Sequence, residues 1–431
     1  MNTKKGKTMY NIKLYDYVPK PEPAESGRII AAHYYPSWTK GDNGLIREFD
    51  DLHDFPDRTP LMGYYEDKNP EVIDWEIKWA LEHGVNCWIY CWYRKKENMG
   101  KPVTANDLRL GRGLHDGFFN ARYCNMMKFA IMYEASTRWG GTDRRDMIEN
   151  LLPFWFENYF KRENYLVIDN KPVLYVYDNG RQLWNSMTAE ETRTLLDECR
   201  AYAKTQGFDG IYFALQDPWW SQDPYIDVKE HGYDSLFYYH AKTDRSKFNT
   251  SEDVGDQQIE FNTTNIEAHP YEFNSTITCF YDPEPRIYTL PYGGNPNPKP
   301  GCFTYASVTP YYANLKDYRR ILREAKRCAD RAPADSMAHR VIMIDNWNEW
   351  DEGHFILPSY RFGFKYLQAI REELTERDNL PDYRMPDTLG FGPYDEVWGG
   401  KDIDLSKNND KKIDSSEFLF HYKDGKVIDY Q

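Results

Sequence analysis

No apolar run in the 431-residue chain is longer than a β-strand, whereas a bilayer span needs ~20 consecutive apolar residues. The sequence therefore carries no membrane span. Basic residues are outnumbered: 54 Lys and Arg stand against 68 Asp and Glu, a formal charge of −14. A duplex nucleic-acid binder needs the opposite balance to displace phosphate counterions, so nucleic acid is not an expected partner. No G-x-G-x-x-G turn follows any strand-like run, which removes the usual dinucleotide site. Cysteine is sparse and odd in number, seven residues without paired metal spacing, so neither a disulfide framework nor a zinc site is indicated. Cys87 and Cys91, four apart in an apolar run, read as buried thiols. The N-terminal MNTKKGKTMYNIKLYDY is basic but lacks the apolar core of a secretory leader. A cytoplasmic protein is one expectation; a periplasmic or secreted one with its leader trimmed is the other.

Aromatic residues, by contrast, are abundant. They make up 16% of the chain, with 35 Tyr and 13 Trp. Flat faces of this kind line sugar-binding clefts, and equally they fill aromatic cores. From residue 28 onward, strand-like and helical runs alternate. The strands are RIIAAHYY (28–35), NCWIYCWY (86–93), KFAIMYE (128–134), PVLYVYD (172–178), GIYFALQD (210–217), SLFYYH (235–240), FTYASVTP (303–310) and RVIMIDNW (340–347). Helical patterns occupy 70–84, 143–160, 188–207, and stretches near 313–332 and 360–376; Thr188 is the N-cap of the third and Gly207 its stop. Apolar strands separated by helices argue for a parallel sheet covered on both faces. Eight such units over about 350 residues suit a barrel better than an open sheet. The expected fold is therefore an α/β (β/α)8 TIM barrel over 28–397. A Pro-rich lead-in (1–27) precedes it, a long Asn-, Thr-, Pro- and Gly-rich insertion (241–302) follows strand 6, and a small C-terminal extension (398–431) ends the chain. Inside that insertion, TITCFYDP (276–283) competes with 303–310 to be the seventh strand.

Catalytic groups of such barrels project from the C-terminal ends of the strands. Those ends and the loops after them supply His33, Tyr35 and Trp38; Trp92; Glu134; Asp178; Gln216 and Trp219; and Tyr239 and His240, all candidates for binding substrate. Any one of them reads equally well as a turn cap or loop anchor; the convergence of the set on one rim is the signal. The densest cluster is DNWNEWDEGH (345–354), directly after the eighth strand. Glu349 and Glu352 lie three apart there, with Asn348, Trp350 and Asp351 alongside. Two nearby carboxylates beside indoles suit acid–base work on a glycosidic bond, because an apolar wall and a like charge keep one of them protonated. A solvated acidic turn, or a cation site, is the plainer reading, but such a turn rarely carries two Trp.

Asn348-Glu349-Trp350-Asp351-Glu352-Gly353 resembles the N-E-W-H-E-G signature of glycoside hydrolase family 99, the endo-acting α-mannosidases and α-mannanases, and of the wider family 99-like group. His33-Tyr34-Tyr35-Pro36, Leu357-Pro358 to Gly363, and Tyr366-Leu367 extend the likeness over most of 28–376. The resemblance implies a retaining (β/α)8 enzyme acting on oligosaccharide or polysaccharide with no metal or other cofactor. It casts Glu349 as the base that deprotonates the sugar 2-hydroxyl, which attacks C1 to give a 1,2-anhydro sugar. Glu352 is then the acid that protonates the leaving oxygen and later activates water, and Tyr35 is the aromatic at the mouth of the subsite. Asp351 stands where the signature has His, His354 where it has Thr, and Phe355-Ile356-Leu357 where it has Gln-Ile-Glu. These changes flank the reacting sugar, so mannose specificity does not carry over. The family 99-like group also includes proteins of polysaccharide biosynthesis named as glycosyltransferases. A transferase or lyase, and a non-catalytic sugar-binding protein, are the competing readings.

At the C-terminus, Ser406 to Phe418 has oxygen-bearing residues near the spacing of a calcium loop. Ser406 replaces the expected Asp and Lys411 the Gly of the sharp turn, so an ordinary polar turn is favoured over calcium. EFLFHYKDGKVIDY reads as a hairpin about Asp424-Gly425. Nothing in the sequence fixes an oligomeric state.

Overall fold

A computed structural model describes residues 18–42, 49, 52, 55, 58–135, 141–177, 187–216, 223–241, 250–283, 285, 311–376, 379, 381–386, 394, 420–423 and 426–430. Eight parallel strands form the central sheet: β1 (Ile29–Tyr34), β2 (Cys87–Arg94), β3 (Lys128–Glu134), β4 (Lys171–Tyr177), β5 (Tyr212–Gln216), β6 (Ser235–Phe237), β7 (Ser275–Thr278) and β8 (Val341–Asp345). Their order is β6-β5-β4-β3-β2-β1-β8-β7, so every neighbour is the next or previous strand in sequence except where the last strand, β8, pairs with the first, β1. A parallel bridge between Leu236 and Phe273 joins the two ends and closes the barrel. The (β/α)8 architecture expected from the alternation is the one observed.

Local chemistry sets the helices that pack outside. Helix α1 (Pro70–Glu82) starts at Asn69, whose side chain accepts from Glu71 N, and stops before Gly84 at φ +89°. A helical run follows β3 over 144–160. Helix α2 (Ala189–Thr205) opens with the capping box of Thr188 and Glu191. Helix α3 (Pro224–Glu230) precedes β6, α4 (Ser251–Ala268) precedes β7, α5 (Leu315–Arg331) precedes β8, and α6 (Lys365–Leu374) follows it. The lead-in is tied down where Ala24 N donates to Leu81 O at 2.9 Å. Of the C-terminal extension, strands Phe420–Lys423 and Lys426–Tyr430 pair antiparallel, as a hairpin about Asp424-Gly425 requires. The calcium-like loop lies outside the described residues.

The stretch 241–302 needs correcting. It is not an uninterrupted insertion, because it holds both α4 and the seventh strand, β7. The alternative seventh strand, 303–310, lies outside the described residues. The sequence signal was weak for a physical reason. Strand β7 is only Ser-Thr-Ile-Thr, and the face that α4 buries includes Gln258 and Asn262 instead of an apolar stripe. Those carboxamides do the work of a neighbouring strand. Gln258 donates to Thr278 O and accepts from Thr278 N, both at 2.9 Å. Asn262 donates to Thr276 O at 3.1 Å and accepts from Thr276 N at 3.2 Å. Strand β6 is too short to pair β7 along its length, so two amide side chains satisfy the remaining buried backbone groups.

Replacing Asn262 with Leu keeps the volume and removes both bonds. A buried N–H and a buried C=O of Thr276 then lack partners, at about 1–3 kcal/mol each. Urea unfolding is expected to show a loss of that size. A loss below ~0.5 kcal/mol would mean that β7 is held by its pairing with β8 alone.

Candidate active site on the β8 hairpin

Strand β8 ends at Asp345, and the chain turns at once into a two-residue hairpin. Asn348–Glu349 pairs antiparallel with His354–Phe355, which sets Glu349 directly across from His354. Glu352 sits in the turn between them. Gly353 is at φ +63°, and a Cβ there would lie 2.4 Å from Asp282 O and 2.7 Å from Arg58 Nη1, so the turn admits only glycine. Asp282 N donates to Glu352 O at 3.0 Å, and Arg58 donates to Asp282 O at 2.6 Å. The loop after β7 therefore clamps the turn from outside.

Glu349 is buried. Asn346 Nδ2 donates to its Oε2 at 3.2 Å, and the Tyr239 hydroxyl donates to the same oxygen. Burial, reinforced by Cys91 and Glu349 itself, raises the Tyr239 phenol well above its ordinary range, so the proton stays on the hydroxyl and Glu349 is the acceptor. His354 Nε2 lies 3.6 Å from Glu349 Oε2 and 3.2 Å from Glu352 Oε2. One nitrogen thus lies within 3.6 Å of both carboxylates. Glu352 keeps more exposure than Glu349, 14% against 4% of the side chain.

Below this pair lies Asp345, fully buried. Its carboxylate accepts from His240 Nδ1 at 2.8 Å, from Thr278 Oγ1 at 2.9 Å and from His354 Nδ1. Burial alone would raise this carboxyl, but the two imidazoles outweigh it and hold Asp345 far below the usual carboxylate range. His33, at the end of β1, is the reverse case. Burial pushes it down to about 3 despite Asp345, so it is a neutral ring packed against Tyr239, centroids 4.8 Å apart and planes tilted.

The sequence-derived site residues divide into four groups. His33, Tyr239, His240, Asn348, Glu349 and Glu352 gather around the hairpin and its buried carboxylate. Glu134 and Gln216 end β3 and β5 at the same end of the barrel. Asp178 and Trp219 lie outside the described residues. Trp38, Trp92 and Trp350 were expected to meet substrate and instead are essentially without exposure. The Trp38 indole donates to Asn348 O at 2.8 Å, that of Trp350 to Tyr65 OH at 3.1 Å, and that of Trp92 to Tyr159 OH at 2.9 Å. An indole buried on both faces offers none to a sugar; these three are struts. Tyr35 is likewise buried, its N–H on Asn348 Oδ1 at 2.8 Å, and Asp351 is buried beneath the turn. Two residues were missed. Asp345 reads as an ordinary strand end and His354 as a mere departure from the signature. The Glu352-Gly353 turn was the available clue, since a tight turn there pairs Glu349 with His354.

The family model described as Glycosyltransferase WbsX matches residues 38–370. The chain belongs to the WbsX glycosyltransferase family. Two curated relatives, each called uncharacterized protein WxcX, come from Xanthomonas campestris pv. campestris strains B100 and ATCC 33913. Each is 22% identical, over 349 and 352 residues, or 76% of this chain and 45% of the relative. The chain thus spans less than half the length of the curated relatives it matches. Two structures of the family 99 endo-α-mannosidase from Bacteroides thetaiotaomicron, one with bis-tris propane, share the fold at a TM-score of 0.52 and 16% identity. That likeness covers 80% of this chain and 95% of the mannosidase, and it is a likeness of fold.

In this WbsX-family chain the hairpin rests on a layer of buried acids. Trp347 donates its indole N–H to Glu76 Oε2 of α1 at 3.0 Å. Burial pushes Glu76 up to about 8, although bonds from Tyr34, Trp347 and Tyr65 work against it, and pushes Asp67 up to about 7. Glu76 therefore keeps its proton in the fold at pH values where the unfolded chain has released it. A carboxyl raised on folding gives stability that is whole below about pH 4.5 and declines as pH climbs toward 8. Glu76→Gln is neutral at every pH and should lose that slope. Urea unfolding at pH 5 and pH 8 should find the variant gaining roughly 3–5 kcal/mol on the wild type between the two. Parallel curves for the two proteins would show that Glu76 is not held protonated.

Proposed function

We propose that this chain is a glycan-active enzyme that cleaves α-linked oligosaccharide or polysaccharide with retention, using Glu349 and Glu352. The observation that carries the reading is the pair Glu349 and Glu352, each within 3.6 Å of His354 Nε2, at the C-terminal rim of a (β/α)8 barrel. Support comes also from the resemblance of the turn to family 99 and from the fold shared with an endo-α-mannosidase. Glu349, fixed by Tyr239 and Asn346, takes the proton of the sugar 2-hydroxyl. The oxygen so freed attacks C1 while the leaving oxygen takes the proton of Glu352, and a 1,2-anhydro sugar results. Glu352, now a carboxylate, removes a proton from water, which opens the three-membered ring at C1. Glu349 returns its proton to O2, and both residues end as they began. The family's description favours a second reading, a transferase. The same anhydro sugar opened by another glycan's hydroxyl instead of water gives a longer chain.

Glu352→Gln removes the acid while keeping shape. Turnover of unactivated α-glycosides should fall ~10²–10⁴-fold, and that of aryl glycosides with good leaving groups much less. Glu349→Gln should damage both substrates alike, because the internal attack needs its base whatever departs. Glycan affinity should survive in each variant, since binding is separate from transition-state stabilisation. A 2-deoxy substrate cleaved at the normal rate would overturn the anhydro-sugar route. Product masses decide between the readings: shortened glycans support hydrolysis, lengthened ones transfer, and tight binding without turnover a sugar-binding protein.

A further inference from the structure

His240, His354 and Glu352 reach the same spot from two parts of the chain, and their donor atoms lie within 4.8 Å of one another. His240 follows β6, His354 is on the return strand of the hairpin, and Glu352 is in its turn. Both rings are anchored from behind. Asp345 accepts from Nδ1 of each, which fixes the ring planes and turns Nε2 forward. Metal-ligating histidines are held in this way, with the second nitrogen on a carboxylate, and the bond makes the forward nitrogen more basic. Thr278 Oγ1 steadies the same carboxylate at 2.9 Å, so the support is itself supported. Forward of the rings, His354 Nε2 meets Glu352 Oε2 at 3.2 Å and Glu349 Oε2 at 3.6 Å. With its proton on Nδ1 donated to Asp345, the His354 ring turns the lone pair of Nε2 toward Glu352.

We propose that His240, His354 and Glu352 form a binding site for one divalent transition-metal ion of the zinc class. Two imidazoles and a carboxylate make the donor set of open zinc sites, whereas magnesium and calcium prefer oxygen ligands throughout. The three donors lie within 4.8 Å of one another, and His354 Nε2 and Glu352 Oε2 at 3.2 Å, close to the spacing of two ligands on one ion, so a small side-chain adjustment completes the site. Glu352 is the least buried of the three carboxylates involved, and it is the one placed to move. Metal binding stands on this geometry alone. Its consequence rests on the function proposed above: a Glu352 that ligates a metal has no proton to give, so the ion is an inhibitor of glycan cleavage.

The test uses the full chain, stripped with EDTA, dialysed, and titrated with zinc chloride in a calorimeter, with magnesium and calcium chlorides as controls. One zinc per chain, bound below ~1 μM and with a raised melting temperature, is the expected result. His240→Asn and His354→Asn each retain an amide nitrogen near the Nδ1 position to meet Asp345, but they lack the forward nitrogen. Both should stay folded by circular dichroism and weaken zinc by more than ~100-fold, beyond the loss typical of supporting residues. Wild-type protein that takes up no zinc at 100-fold excess, or Asn variants that bind as the wild type does, would overturn the site. Because binding is read without substrate, failure of the hydrolase reading leaves it untouched. Where turnover exists, zinc should abolish it and EDTA restore it; full activity in the zinc-loaded enzyme would overturn inhibition through Glu352 while leaving the binding result as it stands.

Discussion

The buried carboxylate of Asp345 is the interaction on which the rest of the site depends. A charge placed in a barrel interior is tolerated only when its lone pairs are met, and here two imidazoles and a hydroxyl meet them. The three partners come from after β6, from β7 and from the hairpin after β8. Satisfying one carboxylate therefore fixes the relative position of three consecutive segments of the rim. His354 is among the three, and it in turn faces Glu349 and Glu352. Removing either ring would leave Asp345 underpaired, so the demands of burial and of chemistry select the same residues.

The second constraint is the layer beneath. Trp38, Trp347 and Trp350 are wholly buried, and each places its one N–H on an acceptor in a different part of the fold: Asn348 O, Glu76 and Tyr65. Each indole buries a large apolar surface and adds a directed bond, which makes it a stiff spacer. A hairpin of two residues per strand has little stability of its own. These indoles, with Asp282 and Arg58 clamping Gly353, supply the order that its short backbone ladder does not.

The barrel was legible where strands are apolar and long, as in Cys87–Arg94 or Lys128–Glu134, because burial on both faces leaves continuous runs. It was obscured at Ser275–Thr278, where carboxamides of α4 replace a strand partner and no hydrophobic pattern marks the element. The catalytic candidates Glu349 and Glu352 stood out by composition and by their likeness to a known signature. The aromatic residues misled for a definite reason. Counting Trp shows that flat surfaces exist, but not whether they face solvent, and a two-residue hairpin has no period from which to read its inner side. Asp345 and His354 were hidden differently: nine positions apart in sequence, they meet only once the hairpin has folded back.

The two glutamates are held in different ways, and this asymmetry bears on what the site can become. Glu349 lies on the hairpin ladder, buried, its oxygen gripped by a phenol and an amide from the rim itself. Its position is a property of the barrel. Glu352 lies in the turn, and its backbone is fixed by Asp282 and Arg58 through contacts that converge on Gly353. Its position is a property of the loop after β7, the connection to which Asp282 belongs. A change in that loop moves Glu352 without moving Glu349. A single scaffold can then present the pair to water or to a second glycan by changing one connection, while the buried carboxylate and its two imidazoles stay as they are.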